Sequence, residues 1–297
     1  MKGAFLLKKI AAALLALLLF VSCGKEPEPV LPEEPAKPSE PIVIEPVEPE
    51  PEPEAEPEPE PEPEPVKIVD RSREYIYEQN PKLVPVNYDS PALLGLTEDA
   101  GEEYTDQLVF LCDSPTYWMG PKGLVPMEHI WTGPEGTQTL AYQSTYKILD
   151  PYDNTEKLIR DVVAEHQPEY LVIAIGINGI SFMDEDYFKA EYKSLVTDIQ
   201  TLSPDTKLIC QAIYPITPAY KWWGNITNAL ITEGNQWILE VAEETGCPYL
   251  DTFAAILGED GNAIDDYMRS DGLHPNKEGL TVILDYIRTH AYLPEEE

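Results

Sequence analysis

The stretch "LVFLCDSPTYWM", Leu108 to Met119, decides how the chain folds. Its apolar run ends abruptly at Asp113-Ser114, and Pro115 follows at once. A short apolar run with no alternation reads as a strand buried on both faces, as in parallel sheets. Proline suits the first position of a helix, so the stretch reads as strand, turn, helix start. Ser114 then has two readings. It is the N-cap of the helix, or it is a nucleophile at the carboxyl end of a strand. The stretch alone does not choose between them.

Working outward, strand-like and helix-like runs alternate. "EHIW" (128–131), "YLVIAIG" (170–176), "KLICQAIYP" (207–215) and "PYLDT" (248–252) read as strands. "NTEKLIRDVVAEHQ" (154–167) has apolar residues at Leu158, Ile159, Val162 and Val163, which is helical spacing. "DEDYFKAEYKSLVTDIQTL" (184–202) is amphipathic with acidic residues in its first turn. "ITNALITEGNQWILEVAEETG" (226–246) ends at a glycine, and "PNKEGLTVILDYIRTHA" (275–291) closes the chain. The alternation predicts an α/β domain with a parallel sheet covered by helices on both faces. In such folds ligands bind outside the carboxyl ends of the strands.

Three polar clusters fall at or near those ends: Asp113-Ser114, "GING" (176–179) and "DGLHPN" (271–276). An acyl-transfer site needs a nucleophile, a base, a group that orients the base, and donors for an oxyanion. Ser114 can be the nucleophile and His274 the base. Asp271, three residues before His274, can hold Nδ1–H and leave Nε2 for the serine. Asn178 offers a side-chain N–H, Ser114 a backbone N–H, and Gly136 in "TGPEGTQT" a third, with Gly133 competing for that role. Each cluster alone also reads as a cap, a turn or a loop. Their joint occurrence in this order favours chemistry.

The order Asp-Ser, Gly, G-x-N, D-x-x-H with a closing helix resembles the SGNH (GDSL) hydrolase superfamily, over about residues 108–292. The resemblance implies a three-layer α/β/α, flavodoxin-like fold with a five-stranded parallel sheet. It implies Ser114 as nucleophile, His274 as general base, Asp271 as its orienting carboxylate, and Ser114, Gly136 and Asn178 as the oxyanion hole. No cofactor and no metal are expected, since the sequence shows no His/Asp cluster with ligand spacing. Two positions depart from the family pattern. Cys112 stands where the family has glycine, with a side chain that would shift Ser114 or crowd the pocket. Gly179 stands where the family has aspartate after G-x-N.

The N-terminal part reads separately. Lys2, Lys8 and Lys9 precede an apolar block, Ile10 to Val21, that ends at "FVSC". This resembles a bacterial lipoprotein signal over 1–23, with Cys23 lipidated and the protein held on the outer face of the membrane. Residues 24–66 hold the run "EPVEPEPEPEAEPEPEPEPEP", which alternates Glu and Pro; almost nothing apolar is available to bury and Glu repels Glu, so an extended tether is expected. At about 3.1 Å per residue it would reach on the order of 120 Å. Residues 67–107 read as a wrapping extension of the 108–297 domain, with a short helix at "REYIYEQNP". Of the formal charge of -34, the first 23 residues carry three lysines and residues 24–66 carry 15 glutamates and two lysines. That leaves -24 on residues 67–297. Such a surface repels phosphate backbones, so nucleic acid is an unfavourable partner. Cys112, Cys210 and Cys247 remain, an odd number that excludes a complete disulfide framework.

A tethered surface enzyme suggests an acylated carbohydrate or small ester as substrate, and a monomer. Trp222 and Trp223 in "TPAYKWWGNIT" (217–227), together with Tyr117 and Trp118, are candidates for stacking on sugar rings. The expected activity is removal of O-acetyl or other short acyl groups by a serine esterase. Alternatives are a lipase or lysophospholipase, and a weak or inactive glycan-binding lipoprotein that retains the fold.

Overall fold

The computed structural model describes residues 67–222 and 225–294. The expected signal segment, Cys23, the Glu/Pro tether and Trp223 lie outside the described residues. Strands β1 (Leu108–Cys112), β2 (Ile130–Trp131), β5 (Tyr170–Ala174), β6 (Lys207–Gln211) and β7 (Tyr249–Leu250) form one sheet in the order β2-β1-β5-β6-β7. Every pairing in it is parallel. The structure is therefore the expected α/β/α arrangement on a five-stranded parallel sheet.

Alternation along the strands builds two cores. Val109 and Leu111 point to one face and join Leu171 and Ile173. Leu108, Phe110 and Cys112 point to the other and join Tyr170 and Val172. All five β1 residues are buried, which is why the run shows no polar alternation. On the first face lie α4 (Ile159–His166), α5 (Glu185–Leu202) and α6 (Asn228–Thr245), through Val162, Tyr192 and Ile238. On the second lies α8 (Lys277–Thr289), through Leu280, Ile283 and Ile287.

The helix ends follow the sequence. Asp184 and Thr227 accept bonds from Tyr187 and Leu230 N–H as N-caps of α5 and α6. Gly246 closes α6 at φ +70°, where a side chain would be strained. The expected helix at 154–167 is shorter. Its first turn is instead β4 (Glu156–Leu158), paired antiparallel with β3 (Lys147–Leu149). The turn between them is closed by Asp150 N–H to Thr155 O at 2.8 Å and by Asn154 at φ 57°. Tertiary pairing here overrides local helical spacing.

The extension contains the expected short helix, α1 (Glu74–Gln79). Beyond it, Leu94 N–H donates to Tyr249 O and Tyr249 N–H to Ala92 O. Residues 92–94 thereby cover the β7 edge of the sheet, whose backbone groups would otherwise be unpaired.

Between β6 and α6 the chain runs as a loop whose polar backbone is held by two buried asparagines. Asn235 accepts from Ile213 N–H at 2.7 Å and donates to Ile213 O at 3.0 Å. Asn228 does the same for Ile216, at 2.9 Å each way. Their seven-residue separation places both on one face of α6. Replacing Asn235 with Ala strands the N–H and the carbonyl of Ile213. We expect Asn235→Ala to cost about 2–4 kcal/mol in urea denaturation, whereas a solvated loop would lose less than about 1 kcal/mol.

Candidate active site

β1 delivers Asp113 and Ser114 at its carboxyl end, beside the end of β5. The N-cap of α3 (Ser114–Tyr117) is Asp113, and Asp113 makes no capping bond. The capping reading of Ser114 is therefore corrected: its hydroxyl faces His274 Nε2 at 2.9 Å. Asp113 Oδ2 instead crosses to β5's continuation and accepts from Gly176 N–H at 2.9 Å and Ile177 N–H at 3.0 Å. Burial pushes its carboxyl from an ordinary 3.8 up to about 7, against those backbone bonds.

His274 sits on the loop before α8. Its Nδ1 lies 3.1 Å from Asp271 Oδ2. The other Asp271 oxygen accepts from Leu273 and His274 N–H, at 2.9 Å each, so the loop is folded around this carboxylate. Burial pushes the Asp271 carboxyl up, but the two N–H groups and the imidazole outweigh it and the net direction is down. Asn276 then caps α8 through Gly279 N–H, as its place in "DGLHPN" suggests. Ser114, His274 and Asp271 thus form one continuous relay of hydrogen-bonding atoms.

Of the three expected oxyanion donors, Ser114 and Asn178 have a hydrogen to offer, while the Gly136 N–H is already bonded within its own turn. Ser114 N–H is at the first helical position, where no intrahelical acceptor exists. Asn178 Nδ2 donates one hydrogen to Gln138 O at 2.7 Å, and an amide carries a second. Gly136 packs directly on the nucleophile: a Cβ there would lie 3.0 Å from Ser114 Cα and 2.9 Å from Tyr117 Cβ, and its φ is +78°. Its own N–H donates to Gly133 O at 3.1 Å across a tight turn. Gly133 faces Tyr146 instead, so of the two glycines it is Gly136 that abuts Ser114.

Of the aromatic candidates, Trp222 is 83% exposed and lines a cleft of about 470 Å³ with Asn178, Phe182, Tyr220, Asp271 and His274. Phe182, 61% exposed, was not legible as a cleft residue in the sequence; only its position four residues after Asn178 hints at it. Tyr117 and Trp118, the other expected substrate contacts, do not line this cleft. Tyr117 packs on Gly136 and on Trp118, and Trp118 lies under the Arg269 guanidinium. Trp131 is a core residue with no exposure.

The two departures from the family pattern acquire physical reasons. Cys112 points away from the cleft into the second core, fully buried, and the free thiol is pushed well up by burial. The expected crowding of the pocket is not seen. At Gly179 a Cβ would meet Met183 Sδ at 2.7 Å, so methionine fills the space of a side chain. Cys210 and Cys247 are also free thiols.

Elsewhere, the fold converges Asp150, Glu165 and His166, a grouping their sequence spacing does not reveal. Lys157 Nζ is 2.7 Å from both Asp150 Oδ2 and Glu165 Oε2, so an ammonium already supplies the cation there.

The fold is thus a flavodoxin-like parallel sheet with Ser114, His274 and Asp271 aligned within hydrogen-bonding distance of one another at its strand ends. The family model for the GDSL-like lipase/acylhydrolase family matches residues 144–282, which includes the Asp271 and His274 segment. The matched stretch, just under half of the chain, is similar to the SGNH/GDSL hydrolases, a family of ester-cleaving hydrolases. Among solved structures it is similar to a GDSL-like lipase from Bacteroides thetaiotaomicron, at 18% identity over 65% of this chain and 90% of that one, with TM-score 0.45. It is also similar to an acetyl xylan esterase, at 19% identity over 61% of this chain and 97% of that one, with TM-score 0.42. A peptidoglycan O-acetylesterase is similar at 14% identity over 43% of this chain and 38% of that one, with TM-score 0.38. No curated protein sequence matches the chain.

Two outcomes follow for the nucleophile's support. The raised Asp113 carboxyl means the folded state holds this proton more tightly than the unfolded state. Its contribution is full below about pH 4 and is lost as pH rises through about 7. Asp251, also buried and also pushed up to about 7, adds to the same slope. The urea midpoint of the parent should fall between pH 4.5 and 8, and Asp113→Asn should fall by less; equal slopes would refute the assignment. Cys112→Gly, the family residue, should lose about 1–2 kcal/mol of stability and gain no activity, because the thiol fills core rather than pocket.

Proposed function

We propose that the protein is a serine esterase that removes O-acetyl or other short acyl groups from carbohydrate. The observation that carries the reading is the Ser114–His274–Asp271 relay, of which His274 and Asp271 line an aromatic-walled cleft.

In this reading Ser114 Oγ attacks the ester carbonyl carbon while His274 Nε2 takes its proton. The carbonyl electron pair moves onto oxygen, where Ser114 N–H and the second Asn178 hydrogen face the charge, with Gly136 packed beside them. Collapse expels the sugar hydroxyl, which takes the proton from His274. Water, deprotonated by His274, then attacks the acyl-enzyme and releases the carboxylic acid. Asp271 holds the imidazole tautomer and balances its transient positive charge. The close packing of Gly136 on Ser114 and Tyr117 leaves little room beside the nucleophile, which suits a short acyl group. Exposed Trp222 and Phe182 offer flat apolar faces of the kind on which sugar rings stack. The acidic surface favours neutral substrates over anionic ones. Through Cys23 and the Glu/Pro segment the domain would be anchored on, and held away from, the outer face of a bacterial membrane.

An inactive glycan-binding role has less support, because it gives no reason for three relay groups to be aligned. A lipase would want an apolar lid, and the sequence after residue 23 supplies no long apolar segment.

The test is p-nitrophenyl acetate hydrolysis and fluorophosphonate labelling by the full-length protein and Ser114→Ala. The variant should lose at least about 1,000-fold in kcat and all labelling, with an unchanged circular dichroism spectrum. An unlabelled, inactive parent of native fold would leave the binding role. Trp222→Ala should raise KM for an acetylated xylo-oligosaccharide about fivefold while leaving p-nitrophenyl acetate turnover unchanged. Equal KM values would remove Trp222 from the sugar site.

A further inference from the structure

Arg269 lies outside the relay and does not line the cleft, yet it touches both halves of the site. Its backbone N–H donates to His274 O at 2.8 Å, and its own carbonyl accepts from Gly272 N–H at 2.9 Å. These bonds close the loop that carries Asp271 and His274. Its guanidinium carbon lies 4.5 Å above the Trp118 ring, and its Nε is 3.9 Å from Asp271 Oδ2, the oxygen that faces His274 Nδ1. Trp118 directly follows α3, which begins at Ser114. Its ring meets Tyr117 edge-on at 5.6 Å, and Tyr117 in turn packs on Gly136. Contacts therefore run without a break from the oxyanion side, through two aromatic rings and one guanidinium, to the orienting carboxylate.

The chemistry suits arginine. A planar guanidinium stacks on an indole while its edge stays charged, which lysine's compact ammonium cannot reproduce. Lys122 Nζ, at 5.7 Å from the same ring, lies over Trp118 too, so the indole is approached by two cations. At 3.9 Å the Arg269–Asp271 contact is an ion pair but longer than a tight charged hydrogen bond. Its worth lies in direction. It favours the Asp271 rotamer whose Oδ2 meets the imidazole, and Trp118 fixes where that positive charge stands.

We propose that Arg269, braced on Trp118, is a positioning residue that sets the Asp271 carboxylate against His274 and ties that loop to the nucleophile helix. This rests on the serine-esterase reading for its kinetic consequence, but not for its structural one.

Two readouts on the full-length protein test it. The first is p-nitrophenyl acetate kinetics. Arg269→Gln should lower kcat about three- to fivefold with KM and Tm unchanged, the scale of one partly exposed ion pair. Arg269→Lys should recover part of that loss, because it returns the charge without the planar brace. Trp118→Ala should lower kcat too, and the double variant Trp118→Ala/Arg269→Gln should be no worse than the poorer single one. The second readout needs no turnover. The proton shared by His274 Nδ1 and Asp271 should give a downfield proton NMR resonance, assigned by its absence in His274→Gln. Arg269→Gln should shift or broaden that resonance.

A parent that hydrolyses no ester but shows the resonance, displaced in Arg269→Gln, overturns the esterase reading and keeps the positioning role. An active parent whose kcat and resonance are both untouched by Arg269→Gln overturns the positioning role alone. So do additive losses in the double variant, or a loss accounted for by a lowered Tm.

Discussion

The site depends on one buried charge. Asp113 ends β1 in a place with almost no solvent, and a carboxyl there must find partners inside the protein. It finds them in the N–H groups of Gly176 and Ile177, just past β5. Satisfying that oxygen fixes how the end of β1 meets the end of β5. It also leaves Ser114, the next residue, with its hydroxyl outside this network and directed at His274. Asn178 follows Ile177 immediately, so the bonds that satisfy Asp113 also set the strand end that carries the amide.

A second carboxylate organises the other half by the same logic. Asp271 takes two backbone N–H groups from its own loop and presents its second oxygen to the imidazole. The turn is thus built around the group that must orient the base. Both carboxylates use backbone donors, which are fixed once the chain path is fixed. Burial dominates for Asp113 and the hydrogen bonds dominate for Asp271, so one carboxyl is pushed up and the other down. The difference matches their roles, one structural and deeply buried, the other facing a base at a cleft.

The cleft walls are made differently. They come from the loops after β5 and β6 and before α8, and Asn228 and Asn235 of α6 hold the backbone at the start of the β6 loop, at Ile216 and Ile213. Hydrogen-bonded support below and exposed aromatic side chains above make this wall a surface whose backbone is already ordered.

Much of this was readable from residue order. The strand-helix alternation, the unbroken apolar run of β1, a cap at Asn276, and the order Ser114, Asn178, Asp271, His274 are local patterns with local causes. The spacing of three between Asp271 and His274 already allowed one carboxylate to reach its imidazole. What the sequence could not decide was anything set by contacts between distant segments. It left Ser114 divided between cap and nucleophile, because that choice depends on a histidine 160 residues away. It read 156–158 as helix, because the partner strand that extends it lies outside any local window. It set Cys112 against the pocket and Tyr117 and Trp118 in it, because the face a side chain takes follows from sheet twist and packing, not from position in a motif. Local chemistry named the groups, and only the parallel pairing of β1 with β5 together with the packing of α8 on the sheet brought them within hydrogen-bonding distance, since such bonds form over about 3 Å and Ser114 and His274 are 160 residues apart.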